Sequence, residues 1–273
     1  MNHVAKDEVR QTVREQYARI AVAESSCCGP SCCAPADDVA ELGAVMELPT
    51  TASLALGYSE GDTASVPEGA DLGLGCGNPQ AIANLRAGET VLDLGSGGGF
   101  DCFLAAAQVG EAGRVIGVDM TPDMVSRARV NAAQGGYSNV DFRLGEIEHL
   151  PVADGTVDVI ISNCVINLSP DKPAVFAEAY RVLAPGGRLA VSDVVAFAEI
   201  PDELRDDPAL LTGCIAGAAR VADVETMLTA AGFTGVRVQP KFESADFMAA
   251  WAPGRNITDY VVSATIEGVK PGV

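Results

Sequence analysis

The eight cysteines are the side chains of this 273-residue chain best suited to chemistry, and they fall into two groups. Four stand close together at Cys27, Cys28, Cys32 and Cys33, in a stretch whose glycine and prolines exclude a helix. The other four lie far apart, at positions 76, 102, 164 and 214. The chain has two histidines and no Cys-x-x-Cys pair, which argues against zinc and favours a softer element held by thiolates.

Each cysteine also has a plainer interpretation, because buried cysteine often serves only to pack a core. Cys102 lies in a predicted helix beside Phe103 and Leu104, and we interpret it as packing. The stretch from residue 27 to residue 33 could equally be an adventitious metal scavenger or an oxidation-prone linker. Position in the fold therefore decides which cysteines carry chemistry.

The composition restricts the partners of the chain. Asp and Glu number 37 against 18 for Lys and Arg, which gives a net charge of −19. This charge disfavours nucleic acid and anionic membranes and favours small neutral or cationic substrates. No apolar run is long enough for a membrane span and the polar N-terminus has no apolar signal core, so we expect a cytoplasmic protein. Cysteines in that compartment act in metal binding or thiol chemistry more often than in a disulfide framework.

Alternating strand and helix patterns position the cysteines. Strands are predicted over 90–94, 114–119, 140–144, 157–162 and 187–195, and helices over 7–23, 99–108, 122–134, 172–183 and near 223–231. Apolar segments at 234–240 and 258–266 could extend the sheet. Strands separated by helices indicate a parallel doubly wound sheet, whose ligands bind beyond the carboxyl ends of the strands. Cys164 follows such a strand, whereas Cys76 and Cys214 need tertiary folding to reach that edge.

A cofactor site is predicted where the first strand runs into a glycine turn, Gly95 to Gly99. Glycines there permit positive φ and close approach of a ligand. Asp93 and Asp101 flank the turn, where they would repel the pyrophosphate of a dinucleotide but suit a cation. S-adenosylmethionine carries a sulfonium and an ammonium and no phosphate, and Asp119 stands where an acid accepts ribose hydroxyls. We therefore predict S-adenosylmethionine as the cofactor, with a purely structural turn as the alternative.

The residues around the cysteines and the turn resemble a known family. The stretches are GLGCGNP at 73–79, LDLGSGGGFDC at 92–102, GVDMT at 117–121, GEIEHLP at 145–151, SNCVINL at 162–168 and GCIAGA at 213–218. Over about residues 57–220 the chain resembles the arsenite methyltransferases. The resemblance implies that Cys76, Cys164 and Cys214 bind trivalent arsenic and that an N-terminal cysteine joins them in a thiol relay.

The resemblance also implies the reaction, which is methyl transfer from S-adenosylmethionine to arsenite and its methylated trivalent products in arsenic detoxification. A thioredoxin-type or glutathione reductant would restore oxidised cysteines. Position does not decide which cysteine doublet supplies the relay thiol, and Cys32 and Cys33 are our candidates. Because glycines flank Cys76, we expect this thiol to be loosely held and to be needed, with one N-terminal cysteine, only early in the reaction.

We therefore predict an α/β chain with a class I, Rossmann-like methyltransferase fold and a mostly parallel, doubly wound sheet. Residues 1–56 would form a helix and a cysteine-rich arm, residues 57–200 the cofactor domain, and residues 201–273 an extension that contributes to the arsenic site. The predicted cofactor contacts are Asp93, Gly95, Ser96, Gly97, Asp119, Met120, Glu146, Ile147 and Asn163. Two other functions stay open: a small-metabolite methyltransferase with structural cysteines, and a soft-metal-binding protein without turnover.

Overall fold

The computed structural model describes residues 3–23 and 49–272, and its centre is an eight-stranded sheet. The strands are β1 (Thr90–Leu94), β2 (Arg114–Asp119), β3 (Val140–Leu144), β4 (Val157–Asn163), β5 (Leu183–Ala196), β6 (Ala219–Arg220), β7 (Thr234–Lys241) and β8 (Val261–Val269). Their order is β3-β2-β1-β4-β5-β8-β7, with β6 beside β5. The first five strands are parallel, while β8 runs antiparallel to both β5 and β7.

Helices cover both faces of this sheet. They are α1 (His3–Ala23), α2 (Pro49–Ala55), α3 (Glu60–Ser65), α4 (Gln80–Ala83), α5 (Phe100–Val109), α6 (Pro122–Gly135), α7 (Lys172–Val182), α8 (Asp202–Arg205), α9 (Pro208–Thr212), α10 (Val221–Ala231) and α11 (Ala245–Met248). Short 3-10 turns cover Ile166–Leu168, Phe242–Ser244, Ala249–Trp251 and Ile257–Asp259. Leu92 and Leu94 of β1 pack in the cluster that contains α7 and α10, and Val91 packs in the cluster that contains α5 and α6. Successive side chains of β1 thus enter opposite cores, as the strand geometry requires.

The predicted strands and helices from residue 90 onward are present, with differences at their ends. β5 begins at Leu183 rather than at the predicted residue 187, because Leu183 pairs with Val157 across an irregularity in the register. α1 begins at His3 rather than at residue 7. The segment after residue 200 supplies β7 and β8, so the predicted extension continues the same sheet.

The predicted cysteine-rich arm, with Cys27, Cys28, Cys32 and Cys33, lies outside the described residues. In the part of the chain that the structure describes, we find no helix long and apolar enough to cross a membrane.

Candidate active site

The glycine turn between β1 and α5 lies at the carboxyl edge of the sheet. The N–H groups of Gly95 and Ser96 donate to the carbonyl oxygen of Val118 at 2.8 and 3.0 Å. Gly97 has φ +49° and open space where a side chain would project. The hydroxyl of Ser96 is buried and has no hydrogen-bond partner within the described chain. Because a buried polar atom without a partner is costly, Ser96 and the space at Gly97 fit a polar ligand lying on the turn.

Two positions of the turn have no space for a side chain, because other segments pack closely against them. A Cβ at Gly95 would lie 2.3 Å from a methyl carbon of Val165, and one at Gly98 would lie 2.9 Å from the carbonyl oxygen of Ala70. Either distance is far below ordinary van der Waals contact. Gly95 therefore lets the turn that follows Cys164 approach the predicted cofactor turn closely.

Asp119 ends β2 beside the glycine turn. Its Oδ2 accepts a hydrogen bond from the N–H of Gly97 at 3.0 Å, and its Oδ1 accepts one from the N–H of Thr121 at 2.8 Å. Burial raises the pKa of Asp119, and these N–H donors oppose the rise. Each carboxylate oxygen keeps a further lone pair, so Asp119 can still accept hydrogen bonds from ribose hydroxyls.

A cavity of about 330 Å³ opens at the carboxyl ends of β2 and β3. Its lining residues are Arg14, Met120, Pro122, Leu144, Gly145 and Glu146. This volume and the mixture of apolar and charged side chains suit a group of nucleoside size. Met120 and Glu146, both predicted cofactor contacts, face this space. Ile147 does not, because its side chain is buried in the hydrophobic core, which leaves only its backbone for a ligand.

Helix α1 covers this edge of the sheet, a role that the sequence did not predict. Arg10 Nε lies 3.4 Å from one carboxylate oxygen of Glu146, and Arg14 Nη2 lies 3.5 Å from the other. Arg10 also pairs with the buried Glu148 at 3.2 Å. Further along α1, the hydroxyl of Tyr17 donates to the carbonyl oxygen of Thr212 at 3.3 Å. The helix thus bridges the cavity and the turn that leads to Cys214.

Buried carboxylates surround the turn. Burial, followed by the charges of Asp101 and Asp119, raises the pKa of Asp93 well above its usual range. Burial also raises the pKa of Asp101 to about 6, although Tyr58 and Gln80 donate hydrogen bonds to it. The thiol of Cys102 donates to Asp93 at 3.2 Å and is fully buried, which fits its interpretation as a packing residue. Several acids near one turn favour a cation over a phosphate.

We expect S-adenosylmethionine to bind without a metal and nicotinamide dinucleotides not to bind, because these acids attract a sulfonium and repel a pyrophosphate. Asp119→Ala should weaken binding of S-adenosylmethionine by at least about tenfold, since it removes the charged acceptor for the ribose. Calorimetric titration of the wild type and the variant measures both effects. Tight binding of a dinucleotide, or unchanged affinity in Asp119→Ala, would contradict the cofactor assignment.

The affinity for S-adenosylmethionine is also expected to rise with pH. A bound cation favours the ionised form of Asp101, whose pKa is about 6, so the affinity should increase as the pH passes through about 6, by up to about tenfold. The free protein should show the opposite trend. The folded state holds the proton of Asp101 more tightly than the unfolded state, so this group's contribution to stability is lost as the pH rises from 3.8 to about 6. Calorimetry and thermal unfolding on either side of pH 6 test both trends, and a pH-independent Kd would contradict the first.

The structure brings Cys76, Cys164 and Cys214 together although they are distant in the sequence. All three are buried in one cluster. The sulfurs of Cys76 and Cys164 and a carboxylate oxygen of Asp193 lie within 4.8 Å of one another. The thiol of Cys214 donates to the carbonyl oxygen of Cys164 at 2.7 Å. Met120 packs against the same cluster and also lines the cavity beside Asp119, and Val165, which follows Cys164, packs against Gly95 of the glycine turn.

The expectation that Cys76 is loosely held is wrong. Its side chain is fully buried, its N–H donates to Oδ1 of Asn163 at 2.9 Å, and its carbonyl oxygen accepts from the hydroxyl of Ser263 at 2.6 Å. The glycines beside it allow this fit rather than mobility: a Cβ at Gly75 would lie 2.7 Å from the amide of Asn163. The side chain of Asn163, a predicted cofactor contact, is thus engaged with the Cys76 turn.

The three thiols are held in their protonated form. Burial, as the largest cause, raises the pKa of Cys76 to about 11. Hydrogen bonding with Cys164, followed by burial, raises the pKa of Cys214. The Cys214 thiol lowers the pKa of Cys164, but interaction with Cys76 and burial outweigh it, so that this pKa is also raised. Neutral thiols in a dry cluster suit an uncharged substrate.

Sequence reasoning missed Asp193, which lies on β5 beside the thiols. Its carboxylate accepts hydrogen bonds from the N–H groups of Ile166 at 2.9 Å, Asn167 at 3.3 Å and Val194 at 2.7 Å. Burial raises its pKa to about 6. The signal was available, because Asp193 stands near the carboxyl end of a strand in the same way as Asp119.

Comparison with known proteins agrees with this geometry. A family model for a methyltransferase domain matches residues 85–232. The arsenite methyltransferase of Halobacterium salinarum is 54% identical over 97% of this chain and 67% of its own length. That of Aquipseudomonas alcaligenes is 48% identical over 60% of this chain and 49% of its own length. The crystal structure of an arsenic(III) S-adenosylmethionine methyltransferase from Chlamydomonas reinhardtii matches with a TM-score of 0.60 and 36% identity, over 84% of this chain and 75% of that one.

A doubly wound sheet with this turn and this acid at its carboxyl edge is that of a class I S-adenosylmethionine-dependent methyltransferase. Within that class, identity along nearly the whole chain decides the family. The chain belongs to the arsenite methyltransferases. It spans about two thirds of the Halobacterium relative and about half of the Aquipseudomonas one.

Proposed function

We propose that the chain transfers methyl groups from S-adenosylmethionine to trivalent arsenic bound by Cys76, Cys164 and Cys214. The single observation that carries this proposal is the burial of these three thiols in one cluster beside the glycine turn, against which the Cys164 turn packs. Its substrates are arsenite and methylated trivalent arsenicals, and its products are mono-, di- and trimethylated arsenicals.

Arsenite at neutral pH is an uncharged trihydroxide, and the site is suited to capture it by exchange. Each thiol forms an As–S bond while its proton leaves with the displaced hydroxide as water. Three exchanges give a neutral tris-thiolate and three waters, with no net uptake or release of protons. Thiols with raised pKa values keep the buried site neutral before and after this exchange. No basic patch is needed to attract the substrate, which agrees with the net charge of −19.

Three sulfurs around arsenic form a pyramid whose lone pair projects away from them. When bound, S-adenosylmethionine supplies an electrophilic methyl group on its sulfonium. The role of the chain is then to orient the lone pair towards that methyl and to exclude water, which the buried cluster favours. Arsenic has no proton to lose, so no general base is required.

The cysteines also supply the electrons that methylation consumes. Attack by the lone pair oxidises arsenic formally from the trivalent to the pentavalent state. A free thiol then attacks a sulfur that is bound to arsenic. An S–S bond forms, the As–S bond breaks and leaves its electron pair on arsenic, and one proton is released, which returns arsenic to the trivalent state. A thioredoxin-type or glutathione reductant then restores the thiols, and the reducing cytoplasm is where such a relay would operate. We assign the relay to Cys76 with Cys32 or Cys33, because these pairs leave Cys164 and Cys214 on the arsenic.

Incubation of the purified protein with arsenite, a thiol and S-adenosylmethionine tests the proposal. Chromatographic speciation should show methylated arsenic growing with time, in step with S-adenosylhomocysteine. Arsenite binding without consumption of S-adenosylmethionine would instead identify a soft-metal-binding protein. S-adenosylhomocysteine formed only with an organic acceptor would identify a small-metabolite methyltransferase with structural cysteines.

A further inference from the structure

We infer that Asn163 and Asn167 are positioning residues, each of which holds a different part of the thiol site. Asn163 holds Cys76, and Asn167 holds Cys164 together with Cys214. The inference rests on the proposed function, because it assigns the two parts to different methylation steps. Each asparagine acts through the backbone of a cysteine turn and not through contact with arsenic.

The amide of Asn163 is engaged with the Cys76 turn on both of its sides. Its Oδ1 accepts from the N–H of Cys76 at 2.9 Å, and its Nδ2 donates to the carbonyl oxygen of Gly77 at 2.8 Å. Nδ2 also donates to the hydroxyl of Tyr58 at 3.0 Å. One side chain therefore holds the backbone on both sides of the Cys76 sulfur.

The amide of Asn167 joins the other two thiol turns. Its Nδ2 lies within hydrogen-bond distance of the carbonyl oxygens of Val194 at 2.5 Å and Cys214 at 3.5 Å, and it donates to Oδ1 of Asp193 at 2.8 Å. The other oxygen of Asp193 accepts from the backbone N–H groups of Ile166 and Asn167. The turn that follows Cys164 is thus tied to β5 by one pair of side chains, and the thiol of Cys214 donates to the carbonyl oxygen of Cys164 at 2.7 Å.

The segment after Cys214 packs closely against the turn that follows Cys164. A Cβ at Gly217 would lie 2.2 Å from the carbonyl oxygen of Asn167. Only glycine lets the segment after Cys214 lie against the Cys164 turn at this distance. No such contact links Gly217 to the Cys76 turn among the described residues.

The backbone conformations of Cys164 and Cys214 explain why these two residues need to be held. Cys164 has φ +59° and Cys214 has φ +62°, which is the left-handed region that residues with a Cβ rarely adopt. Such conformations persist only where the surroundings over-determine them, and they are found mainly at functional sites. The hydrogen bonds of Asn167 and Asp193 supply that constraint.

The two parts have different uses because arsenic changes its number of exchangeable positions. Arsenite takes three sulfurs, whereas methylarsenite has two positions left and needs only two. Loss of Asn163 should therefore resemble loss of Cys76 and impair only the arsenite step. Loss of Asn167 should impair methylation of both substrates, because it releases the pair that remains on arsenic.

The test compares Asn163→Ala and Asn167→Ala with Asn139→Ala as a matched control. Asn139 also bridges two backbone carbonyls, those of Ala106 and Gly110, but it lies at the opposite edge of the sheet. We expect Asn163→Ala to lower kcat/KM for arsenite by about 10- to 100-fold and to spare methylarsenite, and Asn167→Ala to lower both by about this factor. Asn139→Ala should change thermal stability but neither rate.

Two further measurements separate positioning from general destabilisation. Gly217→Ala removes no hydrogen bond and should lower kcat/KM for both substrates, as Asn167→Ala does. If Asn167→Ala does not fold, Gly217→Ala provides the same test. X-ray absorption on arsenite-loaded protein should count three sulfurs in the wild type and two in Asn163→Ala.

The outcomes that overturn the inference differ from those that overturn the function. If the wild type methylates arsenite but each of Asn163→Ala and Asn167→Ala lowers kcat/KM equally for arsenite and methylarsenite, the site is not held in two parts. If both variants behave like Asn139→Ala, the asparagines are only structural. A wild type that binds no arsenite would instead reject the proposed function.

Discussion

Replacement of Cys164 or Cys214 by serine is expected to abolish arsenite binding and every methylation step while binding of S-adenosylmethionine is retained. The hydroxyl oxygen of serine is too hard a donor for trivalent arsenic, and both thiols are buried in the cluster that would hold it. The loss should exceed the roughly 10- to 100-fold effect of removing an outer partner of a metal ligand, since these residues are the ligands themselves. Arsenic speciation and calorimetry with S-adenosylmethionine measure the two properties separately.

Cys102→Ser is the matched control for these variants. Cys102 is equally buried, but its thiol bonds Asp93 in the core beside the glycine turn and belongs to a different packed cluster from the three thiols. We expect Cys102→Ser to keep its activity on arsenite. A folded but inactive Cys102→Ser, or a Cys164→Ser protein that methylates arsenite at the wild-type rate, would show that the ligands are chosen wrongly.

Cys76→Ser is expected to fail on arsenite but to methylate methylarsenite. One methyl on arsenic occupies one of three positions, so two thiols suffice for the second transfer. The predicted reason for this split was a mobile Cys76, and the structure removes that reason, because Asn163 and Ser263 hold the Cys76 backbone. The valence of arsenic still sets the number of thiols needed, and the anchoring of Cys76 by Asn163, apart from the other two thiols, now selects Cys76 as the one that the second transfer can lose.

Arsenic speciation with each substrate in parallel measures this effect, with Cys164→Ser as the comparison that should lose both activities. An equal loss on arsenite and methylarsenite in Cys76→Ser would make Cys76 a ligand in every step and would exclude the relay. Simultaneous replacement of Cys27, Cys28, Cys32 and Cys33 should likewise remove activity on arsenite and leave methylarsenite as a substrate. Full activity of that variant on arsenite would exclude the N-terminal thiols from the reaction.

Part of this site was open to prediction from local patterns. The glycines at positions 95 and 97 occupy a turn whose residue types follow from backbone requirements, and Asp119 ends the next strand, so short stretches suffice to predict them. Cys164 was assigned to the edge of the sheet from one rule about parallel strands. The same rule, applied to β5, would have found Asp193.

Other residues carry no local signal for what they do. Ile147 follows Glu146 in a loop that the sequence predicts to contact a ligand, yet its side chain is buried in the core. Asn163 stands at the carboxyl end of β4, where an amide can turn to a cofactor or to a neighbouring loop, and its hydrogen bonds go to the Cys76 turn. Arg10 and Arg14 appear in the sequence as the charged face of an amphipathic helix, and packing of α1 against α6 and α9 makes them partners of Glu146.

The sequence by itself determined the class of fold and predicted a cofactor turn, because hydrophobic periodicity and glycine report on short-range geometry. The choice of three thiols for arsenic came from the resemblance to a family. Only the tertiary structure decided that Cys76, Cys164 and Cys214 share one buried cluster, that Cys76 is firmly held, and that α1 covers the cofactor cavity. These features join segments far apart in the chain. They depend on side-chain packing and on left-handed backbone conformations at Cys164 and Cys214, which periodicity does not encode.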